Sequence, residues 1–275
     1  CYHGRPRGHG TRPSGCLHMR VTAIQLQIVD RAKSETLARV LELVDGAADS
    51  DLILLPELWP SGYFSFHRYR SDAEPIDGST VAALAERAAA LRCHILMGSF
   101  IERDGPHLFN TSVLLDSEGR TAARYRKMHL FGHGSGESRL LQRGRDIVLV
   151  DLPWGRTGLS TCYDLRFPEL YRRMTDDGAV FFLVASAWPM ARVDAWRLFS
   201  IARAHENLAF LIACNCAGTD QGTPYAGHSL VVDPIGRVLA EAGEGEEVVS
   251  VEFDPVAVAE ARAQFPALED RVLRP

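Results

Sequence analysis

The 275-residue chain has little cysteine, no long apolar run and no strong charge of either sign. Each shortage removes a class of protein. Its six cysteines, Cys1, Cys16, Cys93, Cys162, Cys214 and Cys216, are few and scattered for this length. That argues against a disulfide framework and suits a reducing, cytoplasmic compartment. No stretch approaches the roughly 18 consecutive apolar residues of a membrane-spanning helix, so no membrane partner is expected. A formal net charge of −5 offers no basic footprint for nucleic acid. Cys214 and Cys216 form a C-x-C in "LIACNCAG". On a strand they would face the same side as small core residues. With no second ligand pair at metal-site spacing, no metal is expected.

What is present is an ordinary globular composition, 46% hydrophobic, sufficient for one large α/β core. The opening stretch "CYHGRPRGHGTRPSGCLHM" is rich in Gly, Pro, His and Arg and cannot pack a core. It also lacks the apolar middle of a signal peptide. Residues 1–18 therefore read as a disordered or tag-derived tail, with His18-Met19 resembling a cloning scar, and residues 19–275 as one domain.

Alternation and β-branching predict a strand over 19–28. Helical spacing at Leu37, Val40, Leu41 and Val44 predicts a helix over 34–48, with Ser34 as its cap. The apolar run "DLILLPE" reads as a buried strand over 51–57, and the alanine-rich stretch 80–92 as a helix. Strands follow at 94–102, 108–116 and 119–127, then a long Gly-rich loop over 131–144, a length often reserved for function. Further strands are expected at 146–152, 156–162, 179–186, 208–215 and 246–254. Helices are expected at 167–178, 192–207 and 255–265, and a hairpin over 227–242 turns at Asp233-Pro234-Ile235-Gly236. Mixed hairpins and βα units predict an α/β sandwich with mixed sheets.

Three polar residues end apolar strands: Glu57 in "LILLPE", Lys127 in "ARYRK" and Cys162 in "GLSTC". Each alone also fits a bland role, as a solvated surface charge or a core thiol. Together they have a chemical logic. A thiol with a pKa of about 8.5 is mostly protonated at neutral pH and needs a base within reach to attack a carbonyl. No GxSxG elbow is present. His129, His133, His205 and His228 leave a papain-type Cys–His pair open by count, although none lies in a recognisable context for it.

The blocks "LILLPELW", "YRKMHLF", "STCYDLRFPEL" and "YAGHSLVVDPIGRV" resemble the nitrilase superfamily of carbon–nitrogen hydrolases, from about Met19 to the C-terminus. The resemblance implies a four-layer α-β-β-α sandwich, usually dimerised, with a Glu-Lys-Cys triad and no cofactor. Glu57 falls on the general base, Lys127 on the cationic stabiliser and Cys162 on the nucleophile. The Tyr163 backbone N–H is placed to join Lys127 as an oxyanion donor. Glu137, in the Gly-rich loop, falls where the family often carries a second glutamate that orients the lysine or the substrate amide. Within "DLRFPE", an Arg166–carboxylate pair with Asp164 or Glu169 is expected to brace the strand–helix corner, with direct substrate contact by Arg166 as the alternative. His228 of "GHS" is read as structural.

The stretches "SAWPMARVDAWRLFSIARAHEN" and "FPALEDRV" look most like bacterial omega-amidases, which release ammonia from 2-oxo acid amides. "CYDLRFPEL" with "GHSLVVDP" also resembles hydrolases of deaminated glutathione. Both substrates are anionic, so an arginine is wanted in the pocket. Arg192 is the candidate, with Tyr63, Phe131 and Trp188 as walls. N-carbamoyl hydrolysis is the alternative reaction. A non-catalytic scaffold that kept the fold is the alternative class.

Overall fold

A computed structural model describes residues 18–132 and 135–273. Residues 1–17 of the expected tail, with Cys1 and Cys16, lie outside the described residues, as does His133. Two six-stranded mixed sheets dominate. The first runs, edge to edge, Glu247–Phe253, Met19–Gln25, Leu52–Leu54, His94–Asp104, His107–Leu115 and Thr121–Arg126. The second runs Val238–Glu241, Leu230–Val232, Phe210–Cys214, Phe181–Ala185, Gly155–Thr161 and Leu149–Leu152. In both, a parallel trio sits at the centre and antiparallel strands flank it.

The strand sequences explain why the sheets stack. Successive side chains on a strand point to opposite faces. Leu52 and Leu54 enter the apolar layer between the sheets, whereas Ile53 and Leu55 turn outward. Phe181, Leu183 and Ala185 likewise enter the middle layer, and Phe182 and Val184 face out. Both faces of these strands are buried, which accounts for their unbroken apolar runs. Helices Lys33–Gly46 and Ser79–Leu91 cover the first sheet through Val40, Val44, Val81, Leu84 and Ala88. Helices Pro168–Asp176 and Val193–Asn207 cover the second through Leu170, Tyr171, Met174, Trp196 and Ala204. The result is the α-β-β-α sandwich that the sequence led us to expect.

Several local expectations are corrected. Ala32, not Ser34, caps the first helix, and it does so without a side-chain bond. The Leu52–Leu54 strand ends three residues before Glu57, because Pro56 cannot continue a ladder. Cys214 and Cys216 do not share a face. Cys214 ends its strand and points between the sheets, and beyond Asn215, Cys216 joins the core behind the first sheet. The Gly-rich loop is not structureless, since it contains a helical turn over Glu137–Leu140.

Candidate active site

The three predicted side chains arrive at one end of the two sheets. Glu57 lies beyond Leu52–Leu54, Lys127 directly follows Thr121–Arg126, and Cys162 directly follows Gly155–Thr161. Glu57 is drawn to the second sheet by its own N–H, which donates to the Ser186 carbonyl at 3.1 Å. Two glycines permit this convergence. Gly98 has φ +68°, and a Cβ there would lie 1.9 Å from the Pro56 carbonyl oxygen. A Cβ on Gly144 would lie 1.9 Å from the Arg126 carbonyl oxygen, and the Gly144 N–H donates to the Lys127 carbonyl at 2.9 Å. Any side chain at either position would push the segment bearing Glu57 or Lys127 out of place.

Lys127 lies between two carboxylates, all three side chains fully buried. Its ammonium donates to Glu57 Oε1 at 2.8 Å and to Glu137 Oε1 and Oε2 at 2.9 and 3.0 Å. The two glutamates are otherwise unlike. Glu137 also accepts from Asn110 Nδ2 at 3.0 Å, from the Tyr63 hydroxyl at 3.1 Å and from the Phe131 N–H at 2.7 Å. Both of its oxygens are therefore committed. Glu57 Oε1 accepts from Lys127 and from Asn110 Nδ2, the latter at 2.8 Å, but among the described residues Glu57 Oε2 is buried with no hydrogen-bond partner. An unsatisfied buried carboxylate oxygen is costly unless it has work to do.

Electrostatics assign that work. Burial pushes the Glu57 carboxyl above its ordinary range, against the pull of Lys127. Burial would lower Lys127, but the charges of Glu137 and Glu57 outweigh it and hold the ammonium well above its usual value. The Cys162 thiol is raised by burial and then by the Glu57 charge, while Lys127 and the Ala187 backbone N–H favour the thiolate. The resting pair is thus a protonated thiol beside a carboxylate that has room for a proton. Cys162 itself sits at φ +50°, a left-handed conformation costing a non-glycine residue roughly 1–2 kcal/mol, at the start of the tight turn Cys162–Arg166.

Cys162 opens into a narrow cavity walled by Tyr63, Phe64, Phe131, Tyr163, Trp188 and Pro189, with Arg166 and Arg192 at its rim. Tyr63, Phe131, Trp188 and Arg192, the expected pocket residues, line this cavity. Trp188 also packs on Trp196 and Phe199, so the pocket and packing readings both hold. The expected Arg166–carboxylate brace is absent. Asp164 is engaged elsewhere, and Arg166 lies over the Trp188 ring at 4.9 Å. Among the described residues neither the Arg166 nor the Arg192 guanidinium has an ion pair or hydrogen bond, and Arg192 rests over Phe131 at 5.0 Å. No papain-type pair forms with the described histidines. His129 meets Asp164, and His228 meets Glu241 in the structural role expected of it. Asn110 is the residue that sequence reasoning missed. Its signal was a polar side chain inside the buried strand "LFNTSVLL".

Residues 20–263 match the family model described as carbon-nitrogen hydrolase. The chain belongs to the carbon–nitrogen hydrolase family. The enzyme is 37% identical over 260 residues to a 2-oxoglutaramate amidase of Paenarthrobacter nicotinovorans, covering 91% of this chain and 88% of that one. Its fold is similar to the crystal structure of Nit3 from Saccharomyces cerevisiae, a member of branch 10 of the nitrilase superfamily. That likeness has a TM-score of 0.86, 31% identity, and coverage of 93% and 97% of the two chains. It is also similar to a Nesterenkonia amidase mutant whose active-site cysteine carries the acetamide moiety of fluoroacetamide, with a TM-score of 0.83, 26% identity and coverage of 96% and 97%. The hydrolase is accordingly an amidase acting on carbon–nitrogen bonds of small molecules.

Proposed function

We propose that the enzyme hydrolyses the terminal amide of a small carboxylate-bearing acid through a thioester on Cys162. The observation that carries this is the free Oε2 of Glu57, among the described residues the one uncommitted carboxylate oxygen of the buried cluster, beside a protonated thiol. Glu57 Oε2 takes the thiol proton as sulfur attacks the amide carbon. The oxyanion is met by the Lys127 ammonium and the Tyr163 backbone N–H. Glu57 returns its proton to nitrogen, the C–N bond breaks and ammonia leaves. Glu57 then takes a proton from water as the water attacks the thioester. The C–S bond breaks, the sulfur regains its proton from Glu57, and the product acid departs, giving up its remaining proton to solvent as a carboxylate. Glu137, saturated with donors, fixes Lys127 and does not exchange protons.

The substrate class follows from the rim. Arg166 and Arg192 are unpaired cations on aromatic faces, able to clamp a carboxylate in charge-assisted bonds. The similarity to a 2-oxoglutaramate amidase supports the same class. The reading takes residues 19–275 as one catalytic domain. It also takes the enzyme as a homodimer of a reducing compartment. In support, Leu198 and Phe265 are exposed at 64% and 66%, and the four described cysteines are free.

The test is ammonia release from 2-oxoglutaramate against a neutral amide of similar length, with N-carbamoyl amino acids as a further arm and product detection for deaminated glutathione. Arg166→Ala and Arg192→Ala should each raise KM for the oxo-acid amide roughly 10- to 100-fold, the scale of a charged hydrogen bond, and leave the neutral amide nearly unchanged. Equal effects on both substrates would overturn the substrate class.

A further inference from the structure

We infer that Asp164 is a positioning residue that sets the Cys162 turn at a fixed place relative to Lys127, by sharing one buried carboxylate between the two segments. The inference rests on the reading of Cys162 as nucleophile. Asp164 is fully buried. Its Oδ2 accepts from the Tyr125 hydroxyl at 2.6 Å and from the Thr161 N–H at 2.9 Å. Its Oδ1 accepts from the His129 N–H at 2.9 Å and lies 2.7 Å from His129 Nδ1. Tyr125 and His129 flank Lys127 by two residues on each side, and Thr161 is the residue before Cys162. One carboxylate therefore grips the lysine segment on both sides and the nucleophile segment at its entrance.

The grip spans the seam between the sheets. Tyr125 belongs to the edge strand of the first sheet, and Thr161 ends a strand of the second. Thr161 reciprocates through its side chain, which accepts from the Asp164 N–H and completes a capping box for the turn. The Tyr125 hydroxyl in turn accepts from the Met128 N–H at 3.2 Å, and His129 stacks on Phe167 at 3.8 Å beyond the turn. Such a grip is needed because Cys162 holds an unfavourable φ, which persists only where its surroundings over-determine it. An apolar residue could brace the packing here. Only a multiple acceptor can bind both backbones at once and repay the burial of its charge.

The test uses the full chain with Asp164→Asn and Tyr125→Phe, the rate being referred to reactive sites titrated by the acyl-enzyme burst. Misplacing reacting atoms by a fraction of an ångström costs rate without changing remote binding contacts. We expect kcat per titrated site to fall about tenfold or more in Asp164→Asn and severalfold in Tyr125→Phe, with KM within about twofold of the parent. A merely structural role would lower the number of titratable sites or the unfolding temperature and leave kcat per site at the parental value. That result, or a KM that rises as steeply as kcat falls, would overturn the inference. If Asp164→Asn does not fold, Tyr125→Phe decides, because it removes a single oxygen atom. Cys162→Ala is run beside them. Activity in that variant would overturn the nucleophile reading itself, whereas an inactive Cys162→Ala with parental rates in the other two would overturn only the role of Asp164.

Discussion

The buried cluster and the cavity rim hold charges of the same kinds and treat them in opposite ways. In the cluster, two carboxylates and one ammonium are wholly buried and bond to one another and to Asn110 Nδ2; among the described residues, only Glu57 Oε2 of the carboxylate oxygens has no partner. At the rim, two guanidiniums have no partner of opposite charge among the described residues and lean on aromatic rings, at 4.9 Å from Trp188 and 5.0 Å from Phe131. Aromatic faces stabilise a cation weakly and leave its N–H groups free. The chemical half of the site is thus preorganised and closed before substrate arrives. The recognition half is incomplete without it. A reaction that develops negative charge gains from fixed dipoles and ions already in place, whereas selection of an anion requires positive charge that nothing inside the protein has already neutralised.

The strongest way to break this comparison is to attack the closed half. Cys162→Ala should abolish hydrolysis while the protein stays folded, as followed by ammonia release and thermal unfolding. Lys127→Met and Glu57→Gln should each lower kcat by about a hundredfold or more, the scale for an oxyanion donor or a general base. Glu57 also predicts a pH dependence. Its raised pKa places the acid limb of kcat/KM above the ordinary glutamate value of 4.5. A limb at or below that value would show that Glu57 is not the base. The stability linkage has a matching sign. A carboxyl raised on folding contributes stability below its unfolded pKa, and that contribution is lost as pH rises through the folded pKa. The stability of Glu57→Gln relative to the parent should therefore improve as pH rises through this window. In the same variant the thiol loses a repelling charge, so Cys162 should alkylate at lower pH than in the parent even as hydrolysis fails.

Much of the closed half was legible because its parts are carried by strong local signals. The runs before Glu57, Lys127 and Cys162 are buried strands, and a rigid strand fixes the position of the residues just beyond its end. Glu137 was legible only through its family resemblance, since nothing local distinguishes it from an exposed loop acid. The helical turn that buries it depends on contacts far away in sequence, from Tyr63, Asn110 and Lys127. The corner at Cys162 was misread for a related reason. "DLR" suggests a local Asp164–Arg166 pair, but the residues that claim Asp164 are Tyr125, on the edge strand of the other sheet, and His129, just beyond it. Side chains that answer to distant partners cannot be assigned from spacing. The rim arginines were half legible, with Arg192 proposed as a pocket residue and Arg166 first given to a brace.

A gentler perturbation separates the halves without mutation. The rim is open to solvent and its charges are screened by salt, while the buried cluster is shielded from it. Raising ionic strength from about 0.05 to 0.5 M should raise KM for an anionic amide a few-fold and leave kcat within experimental error. For a neutral amide neither constant should move. A fall in kcat with salt would mean that the cluster is less closed than its burial indicates.

The smallest effect is expected where the closed half is most redundant. Tyr63→Phe removes the hydroxyl that donates to Glu137 Oε2 at 3.1 Å and lies 3.2 Å from Ser135 Oγ. The ring remains, and with it the wall of the cavity and the face that lies 5.4 Å from the Lys127 ammonium. Glu137 keeps Lys127, Asn110 and the Phe131 N–H, so it stays in place. The loss should be about 1 kcal/mol of stability, the net worth of one hydrogen bond, seen as a small shift in a denaturation midpoint. Activity should fall only a few-fold. A loss in kcat comparable to that of Lys127→Met would mean that Glu137 depends on this one hydroxyl, and that the cluster is a chain of single contacts, not a saturated set.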